Sequence, residues 1–588
     1  VVLEQFAVYK NAGAIAVSKI LEHLVALYGE SVGRETFARL TLLIDQARRP
    51  AGGGRQAGLT ERDAVLITYG DQVRAPNEPP LQTLADFCAQ HLAGIVNTIH
   101  LLPFYPYSSD DGFSVIDYRA VNPALGTWDD VARIGANFNL MFDAVINHVS
   151  AQSAWFQKFL RDEPRYRDYF ITVPDHADVS RVIRPRTLPL LTPFETPSGR
   201  KNVWTTFSAD QIDLNYHNPN VLIEIIDTLL FYIARGAKWI RLDAIAFLWK
   251  ELGTTCLHLP QTHRVIQLLR AIVDEIAPHV ILLTETNVPH ADNVSYFGDG
   301  TNEAHLVYNF ALPPLTLNAF HTGDARTLSQ WASTLTLPSQ QVTFFNFLAS
   351  HDGIGLNPAR GILRDDEIDA LVARAITHGG LVSYKNNPDG SASPYELNIN
   401  YFDALNDPNV NEPLTLQINR FVAAHAMMLA LVGVPGIYFH SLFGSRSWRA
   451  GVEQTRQNRT INREKLERDT LVRALNNPAS LRAQVFNRLA QLLRARAAHP
   501  AFAPFGVQRI IDLGDTIFAV ERIALNQTER VLCVQNVSNQ AQRIDLRESH
   551  RFYSPGPLID VLTQEQFWTS ELVNVPPYAT LWLTPASP

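Results

Sequence analysis

Apolar residues in this chain gather into short unbroken runs spaced by amphipathic stretches, and that rhythm predicts the architecture. The runs are Val65–Tyr69, Thr98–Leu102, Leu140–Ile146, Trp239–Asp243, Ile281–Glu285, Leu306–Phe310, Thr343–Phe347 and Gly436–Phe439. A strand buried on both faces reads as such a run, whereas a half-exposed strand alternates. Between the runs lie segments with helical spacing, such as Val221–Ala234 and Thr262–Ile276. Eight strand–helix units predict an α/β fold in which a parallel sheet closes into a (β/α)8 TIM barrel, domain A.

Two connections are too long for simple crossovers. The segment 149–215, rich in Pro and aromatic residues, is expected to form an inserted lobe, domain B, after strand three. The segment 353–411 is expected to form a second lobe after strand seven and carries the turn signal Asn386-Asn387-Pro388-Asp389-Gly390. The barrel then occupies 61–148, 216–352 and 412–505. Residues 1–60 read as an N-terminal helical extension, with Arg48–Gly54 as a flexible connector. From 506 to 588 short alternating runs such as Ile517–Val520 and Val531–Val534 predict a C-terminal antiparallel β domain.

Composition narrows the classes. A content of 46% hydrophobic and 18% charged residues in 588 supports a large packed core. The net charge of −8, without a Lys/Arg-dense run, gives no footprint for nucleic acid. No apolar run reaches the roughly 18 residues a membrane span needs, and the short run Ala12–Val17 is unlike a signal peptide. Three scattered cysteines, Cys88, Cys256 and Cys533, form neither a disulfide framework nor a zinc motif. The expectation is a cytoplasmic, cofactor-free, metal-free protein, monomeric or homodimeric, acting on small molecules.

Candidate chemistry sits where the apolar runs end. Asp243, Glu285 and Asp352 each follow a predicted strand, and barrel active sites gather at the strand C-termini. Any one such acid is more often a cap or an ion-pair partner. Three of them, with Arg241 two residues before Asp243 and His351 beside Asp352, point to a pair of working carboxylates of glycosidase type. Strand alternation puts Arg241 and Asp243 on one face, where the guanidinium would hold Asp243 ionised. Strand three adds Asp143 and then Asn147-His148, the latter a candidate hydroxyl ligand.

The segments Asp143–His148, Ile240–Ala244, Thr284-Glu285 and Ala349–Asp352 resemble the four signature regions of the α-amylase superfamily. The resemblance covers nearly the whole chain. It implies Asp243 as nucleophile, Glu285 as general acid/base and Asp352 as stabiliser of the distorted sugar, with the first two carboxyls about 5–5.5 Å apart. The motifs Asp110–Tyr118, Glu251–Cys256 and Asn458–Arg463 are similar to the sucrose phosphorylase branch. By that likeness Asp71 and Arg459 would tether the glucosyl unit, Phe207 would face the anomeric centre, and Tyr118, His148, Arg241 and His351 would complete the sugar site. Arg186 and Tyr395 would bind phosphate and acceptor. The segments Ser393–Glu396, Phe439–Arg446, Leu248–Glu251 and Thr284–His290 depart from the fructose-recognising pattern and resemble glucosylglycerate phosphorylases within the branch. An anionic acceptor needs cationic or amide donors, and Lys250, Asn287, Arg446 and Lys385 are available by position.

The expectation is therefore reversible phosphorolysis of 2-O-α-D-glucosyl-D-glycerate, inorganic phosphate being a co-substrate. The alternatives are phosphorylases of sucrose, sucrose 6'-phosphate or glucosylglycerol, then an α-glucosidase, then a non-catalytic sugar-binding barrel.

Overall fold

The computed structural model describes residues 18–47, 58–387, 391–547 and 556–586. The connector expected at Arg48–Gly54 lies outside these residues, as do Pro388, Asp389 and Gly390 of the turn signal.

All eight apolar runs form strands of one closed parallel barrel: β1 (Val65–Thr68), β2 (Thr98–Leu101), β3 (Asn139–Ala144), β4 (Ala237–Leu242), β5 (Ile281–Thr284), β6 (Leu306–Tyr308), β7 (Thr343–Asn346) and β8 (Val434–Tyr438). Neighbours follow the chain around the ring, and β1 closes it by pairing with both β2 and β8. The β3–β4 register sets Arg241 opposite Asp143, and the β4–β5 register sets Arg241 opposite Leu283. These pairings carry Asp143, Arg241, Asp243 and Glu285 to one rim.

Helices pack outside. Pro219–Ala234 starts where the side chain of Asn218 accepts the Asn220 N–H and Pro219 occupies the first turn, where its missing N–H costs nothing. Residues 18–28 and Glu30–Ala47 are helical, and Ile20, Leu24, Leu40 and Ile44 join the main core. Tyr28 and Arg39 tie this extension down, donating to the Tyr216 carbonyl at 2.9 Å and to Asn220 at 2.7 Å.

After β3, His148–Ser150 pairs antiparallel with Gln211–Asp213, and a three-stranded sheet forms from Thr172–Val173, Gly199–Trp204 and Leu191–Thr196. After β7, Ile354–Gly355, Ala392–Asn398 and Leu381–Asn386 make a second antiparallel sheet. Both connections supply walls of the same cavity.

At the C-terminus a six-stranded antiparallel sheet stands beside a two-stranded one. Within Ile517–Ile523, Phe518 and Val520 join the main core while Ile517 and Ala519 join a separate core of this domain. Successive side chains point to opposite faces, so one strand serves both. Buried Arg522 fastens the sheet to the barrel by donating to the carbonyls of Ala430 at 3.0 Å and Ala503 at 2.8 Å.

Candidate active site

At the rim, Arg241 is the hub. Its Nη1 lies 2.5 Å from Asp143 Oδ1 and 2.8 Å from Asp243 Oδ1, and its Nη2 lies 3.9 Å from Glu285 Oε2. One guanidinium therefore touches both acids of the expected pair. Asp143 is held from its other side by His100 Nε2 at 2.7 Å. Immediately after Asp243 the backbone turns through Ala244 at φ +50°, a conformation that side chains other than glycine rarely adopt. The turn lets the Ala244 N–H donate to Glu285 Oε2 at 3.2 Å. Strain of this kind persists where surrounding structure fixes it, commonly at active sites.

Asp352 occupies the facing rim. Arg459 Nη1 lies 2.6 Å from its Oδ1, and Arg463 Nη2 3.6 Å. Buried Glu396 anchors Arg459 in a two-pronged contact, accepting from Nε at 3.0 Å and Nη2 at 2.7 Å. The His351 ring stacks flat on Phe113, with centroids 4.8 Å apart and 5° between planes.

Asp243, Glu285, Phe113, His351, Asp352 and Arg459 line a cavity of about 320 Å³, within the range of small-molecule sites. Arg186 stands on its wall, 3.0 Å from Asp110 and with its guanidinium carbon 5.8 Å from the Phe207 ring centroid. His148 adjoins Phe207 at 5.2 Å between centroids, and its Nε2 contacts the Phe113 carbonyl at 2.8 Å. Tyr395 and Asn287 complete the expected residues on this wall. Asp110 and Asp111 adopt φ of +53° and +49° before Gly112 at +111°. A Cβ at Gly112 would stand 2.6 Å from the Pro103 carbonyl oxygen, so glycine is required there.

Burial raises the Asp243 and Glu285 pKa values above the ordinary carboxylate range. Arg241 opposes the rise at both, while Glu285 raises Asp243 and Asp352 raises Glu285. Both carboxyls are thereby favoured in the protonated form, and each makes ionisation of the other harder. Arg241 sits 2.8 Å from Asp243 but 3.9 Å from Glu285, so its charge supports an ionised Asp243 more strongly than an ionised Glu285. At Asp352 burial disfavours charge, but Arg459 above all, with Arg463, outweighs it and holds the carboxyl well below its usual range. Burial lowers His351 to about 3, so its ring is neutral. The arrangement offers two carboxyls with raised pKa values and a third acid held ionised around a single space.

Five expected site residues do not line this cavity: Arg241, which bonds to Asp243 on the lining, and four others. The Asp71 carboxylate is bound to Lys465 Nζ at 2.6 Å and to Arg74; the cavity carboxylate on that side is Asp110. Tyr118 is buried, donating to the carbonyls of Val145 at 2.7 Å and His148 at 3.1 Å, and so supports His148 from beneath. Lys250 is also buried, 2.7 Å from Asp213 and donating to Asn147 at 2.7 Å, and cannot turn toward an acceptor without abandoning a buried charge. Arg446 is held elsewhere by Asp403 at 2.8 Å and Gln417 at 2.9 Å. Sequence reasoning gave no role to Asp110, Gln211, Glu396 or Arg360. Asp110 and Glu396 lay within quoted segments; Gln211 and Arg360 carry no local signal.

Among the described residues no group of three or more His, Cys, Asp or Glu is arranged to hold a metal ion, and no helix is long and apolar enough to cross a membrane.

The family profile described as "Alpha amylase, catalytic domain" matches residues 91–357. A protein of Spirochaeta thermophila named glucosylglycerate phosphorylase is 50% identical, over 97% of this chain and 99% of its own. One of the same name from Allomeiothermus silvanus is 52% identical over 89% of this chain and 93% of its own. Among solved structures, sucrose 6F-phosphate phosphorylase from Thermoanaerobacter thermosaccharolyticum superposes with a TM-score of 0.71 at 23% identity, covering 89% of this chain and 99% of that one. At that identity the likeness speaks for the fold.

Proposed function

The chain belongs to the α-amylase family, and we propose that it is a retaining glucoside phosphorylase. It converts 2-O-α-D-glucosyl-D-glycerate and inorganic phosphate reversibly into α-D-glucose 1-phosphate and D-glycerate. The observation that carries this reading is the Arg241 fork: one buried guanidinium 2.8 Å from Asp243 and 3.9 Å from Glu285, the two acids of the expected pair.

From that geometry the steps follow. Asp243 attacks the anomeric carbon while Glu285 gives its proton to the glycosidic oxygen, so glycerate leaves and a covalent glucosyl-enzyme remains. Phosphate then enters, Glu285 accepts its proton, and a phosphate oxygen displaces Asp243. Two inversions restore the α configuration. Asp352, kept ionised by Arg459, accepts from sugar hydroxyls, and the Phe207 ring stabilises positive charge at the anomeric centre. Arg186 and Tyr395 bind phosphate, Arg186 being suited to a planar two-point contact. The substrate preference rests on the relatives named for glucosylglycerate. The three cysteines are free and buried, in keeping with cytoplasmic action.

The test is α-glucose 1-phosphate formation from glucosylglycerate, sucrose, sucrose 6'-phosphate and glucosylglycerol, each with phosphate. Glucosylglycerate should give the highest kcat/KM. No phosphate-dependent turnover of any would refute the reading, and glucose release unaffected by phosphate would indicate a hydrolase.

A further inference from the structure

The cations on the cavity wall are not equally occupied. Arg459 is neutralised by Asp352 and Glu396, and Arg186 by Asp110. Lys385 also lines the cavity, yet among the described residues no carboxylate lies within ion-pair distance of it. Arg360 stands on the same wall with only weak partners. Its Nη1 is 3.7 Å from Asp365, whose side chain is 94% exposed, and its Nη2 is 3.4 Å from the Pro394 carbonyl.

Strand pairing explains the placement. Lys385 lies opposite Ser393, and Tyr395, two residues further on, sits unpaired at a bulge in the same hairpin; both side chains line the cavity. Burial, and then the charge of Arg360, lowers the Lys385 pKa, and both cations line the cavity. Such a pair is unfavourable until an anion arrives. Arg184, a further lining cation, donates to the Leu188 carbonyl at 3.4 Å from an exposed stretch.

Two neutral acceptors stand by. The Oδ1 atoms of Asn287 and Asn357 are buried without a hydrogen-bond partner, and both residues line the cavity. Gly355 leaves room for Asn287, since a Cβ there would lie 2.5 Å from Asn287 Oδ1. Unpaired buried acceptors are costly and call for a donor. A cation pair beside hydroxyl-accepting amides matches a small hydroxy acid, and matches a polyol only in part.

We infer that Lys385 and Arg360 seat the carboxylate of the leaving acceptor and so select glycerate over glycerol, with Asn287 and Asn357 receiving its free hydroxyl. This rests on the phosphorylase reading above. It separates acceptor recognition from phosphate recognition by Arg186.

The experiment runs the reaction in the synthetic direction, with α-glucose 1-phosphate as donor and D-glycerate or glycerol as acceptor. It compares the full chain with Lys385→Met and Lys385→Arg. A charge-assisted hydrogen bond lost from a partly buried site corresponds to about tenfold to hundredfold. The kcat/KM ratio of glycerate to glycerol should fall by that factor in Lys385→Met, chiefly through KM, and recover in Lys385→Arg. An equal fall on both acceptors, or an unchanged ratio in an active variant, would overturn the inference alone. Failure of the unaltered chain to use glycerate would overturn the phosphorylase reading and this inference with it.

Discussion

Replacing Glu396 by Gln tests whether the active site depends on a residue that touches none of the reacting atoms. Glu396 is 1% exposed and accepts two hydrogen bonds from Arg459, at 2.7 and 3.0 Å, while Arg459 reaches Asp352 at 2.6 Å. The amide keeps one acceptor oxygen but turns an NH2 group toward the guanidinium. Removing a partner outright from a buried ion pair costs about 3–5 kcal/mol. With one prong retained the loss is about 2 kcal/mol, or roughly 30-fold at 1.4 kcal/mol per decade. In the proposed mechanism Arg459 and Asp352 serve the glucosyl unit common to every substrate, so kcat/KM should fall equally for all acceptors. The assay is the steady-state rate of α-glucose 1-phosphate formation, with thermal melting as a control for folding. A kcat/KM within threefold of the unaltered chain, or a shifted acceptor preference, would refute the reasoning.

Other consequences follow from the same contacts. Glu285 must be protonated to release glycerate and its pKa is raised by burial and by Asp352; glycerate release should therefore fall as pH rises through a value above the ordinary carboxylate range of about 4–4.5. A rapid-quench pH profile checks this, and a limb inside that range would contradict it. Lys250→Met should leave Asp213 charged and buried, costing about 3–5 kcal/mol, visible as a lowered denaturation midpoint with acceptor preference unchanged in the folded fraction. Gly112→Ala forces a side chain against the Pro103 carbonyl at φ +111°, destabilising the Asp110–Gly112 turn by about 1–3 kcal/mol. KM for the glucoside should rise in that variant, and unchanged stability and KM would count against the role of the turn.

The barrel was legible because each strand is buried on both faces, which leaves an uninterrupted apolar run in the chain. Asp243, Glu285 and Asp352 were legible for a related reason, since polar residues ending such runs stand out. Acceptor-side cations were not legible, because their availability depends on partners brought in by folding. Lys250 is taken by Asp213, a residue outside its own strand–helix unit, and Lys465 occupies Asp71 from the far end of the barrel sequence. Asp71 and Asp110 both follow barrel strands, and only the positive-φ turn at Asp110 brings a carboxylate to Arg186. Glu396 has no signature of its own; its importance comes from Arg459, which lies 63 positions away.

The most direct test of paired action by Asp243 and Glu285 follows glucosylglycerate and inorganic phosphate by phosphorus NMR, with the unaltered chain and with Asp243→Asn. Accumulation of the α anomer of glucose 1-phosphate by the former, and its near-complete loss in the latter, is the predicted result. A β-linked product, or undiminished turnover by Asp243→Asn, would contradict it.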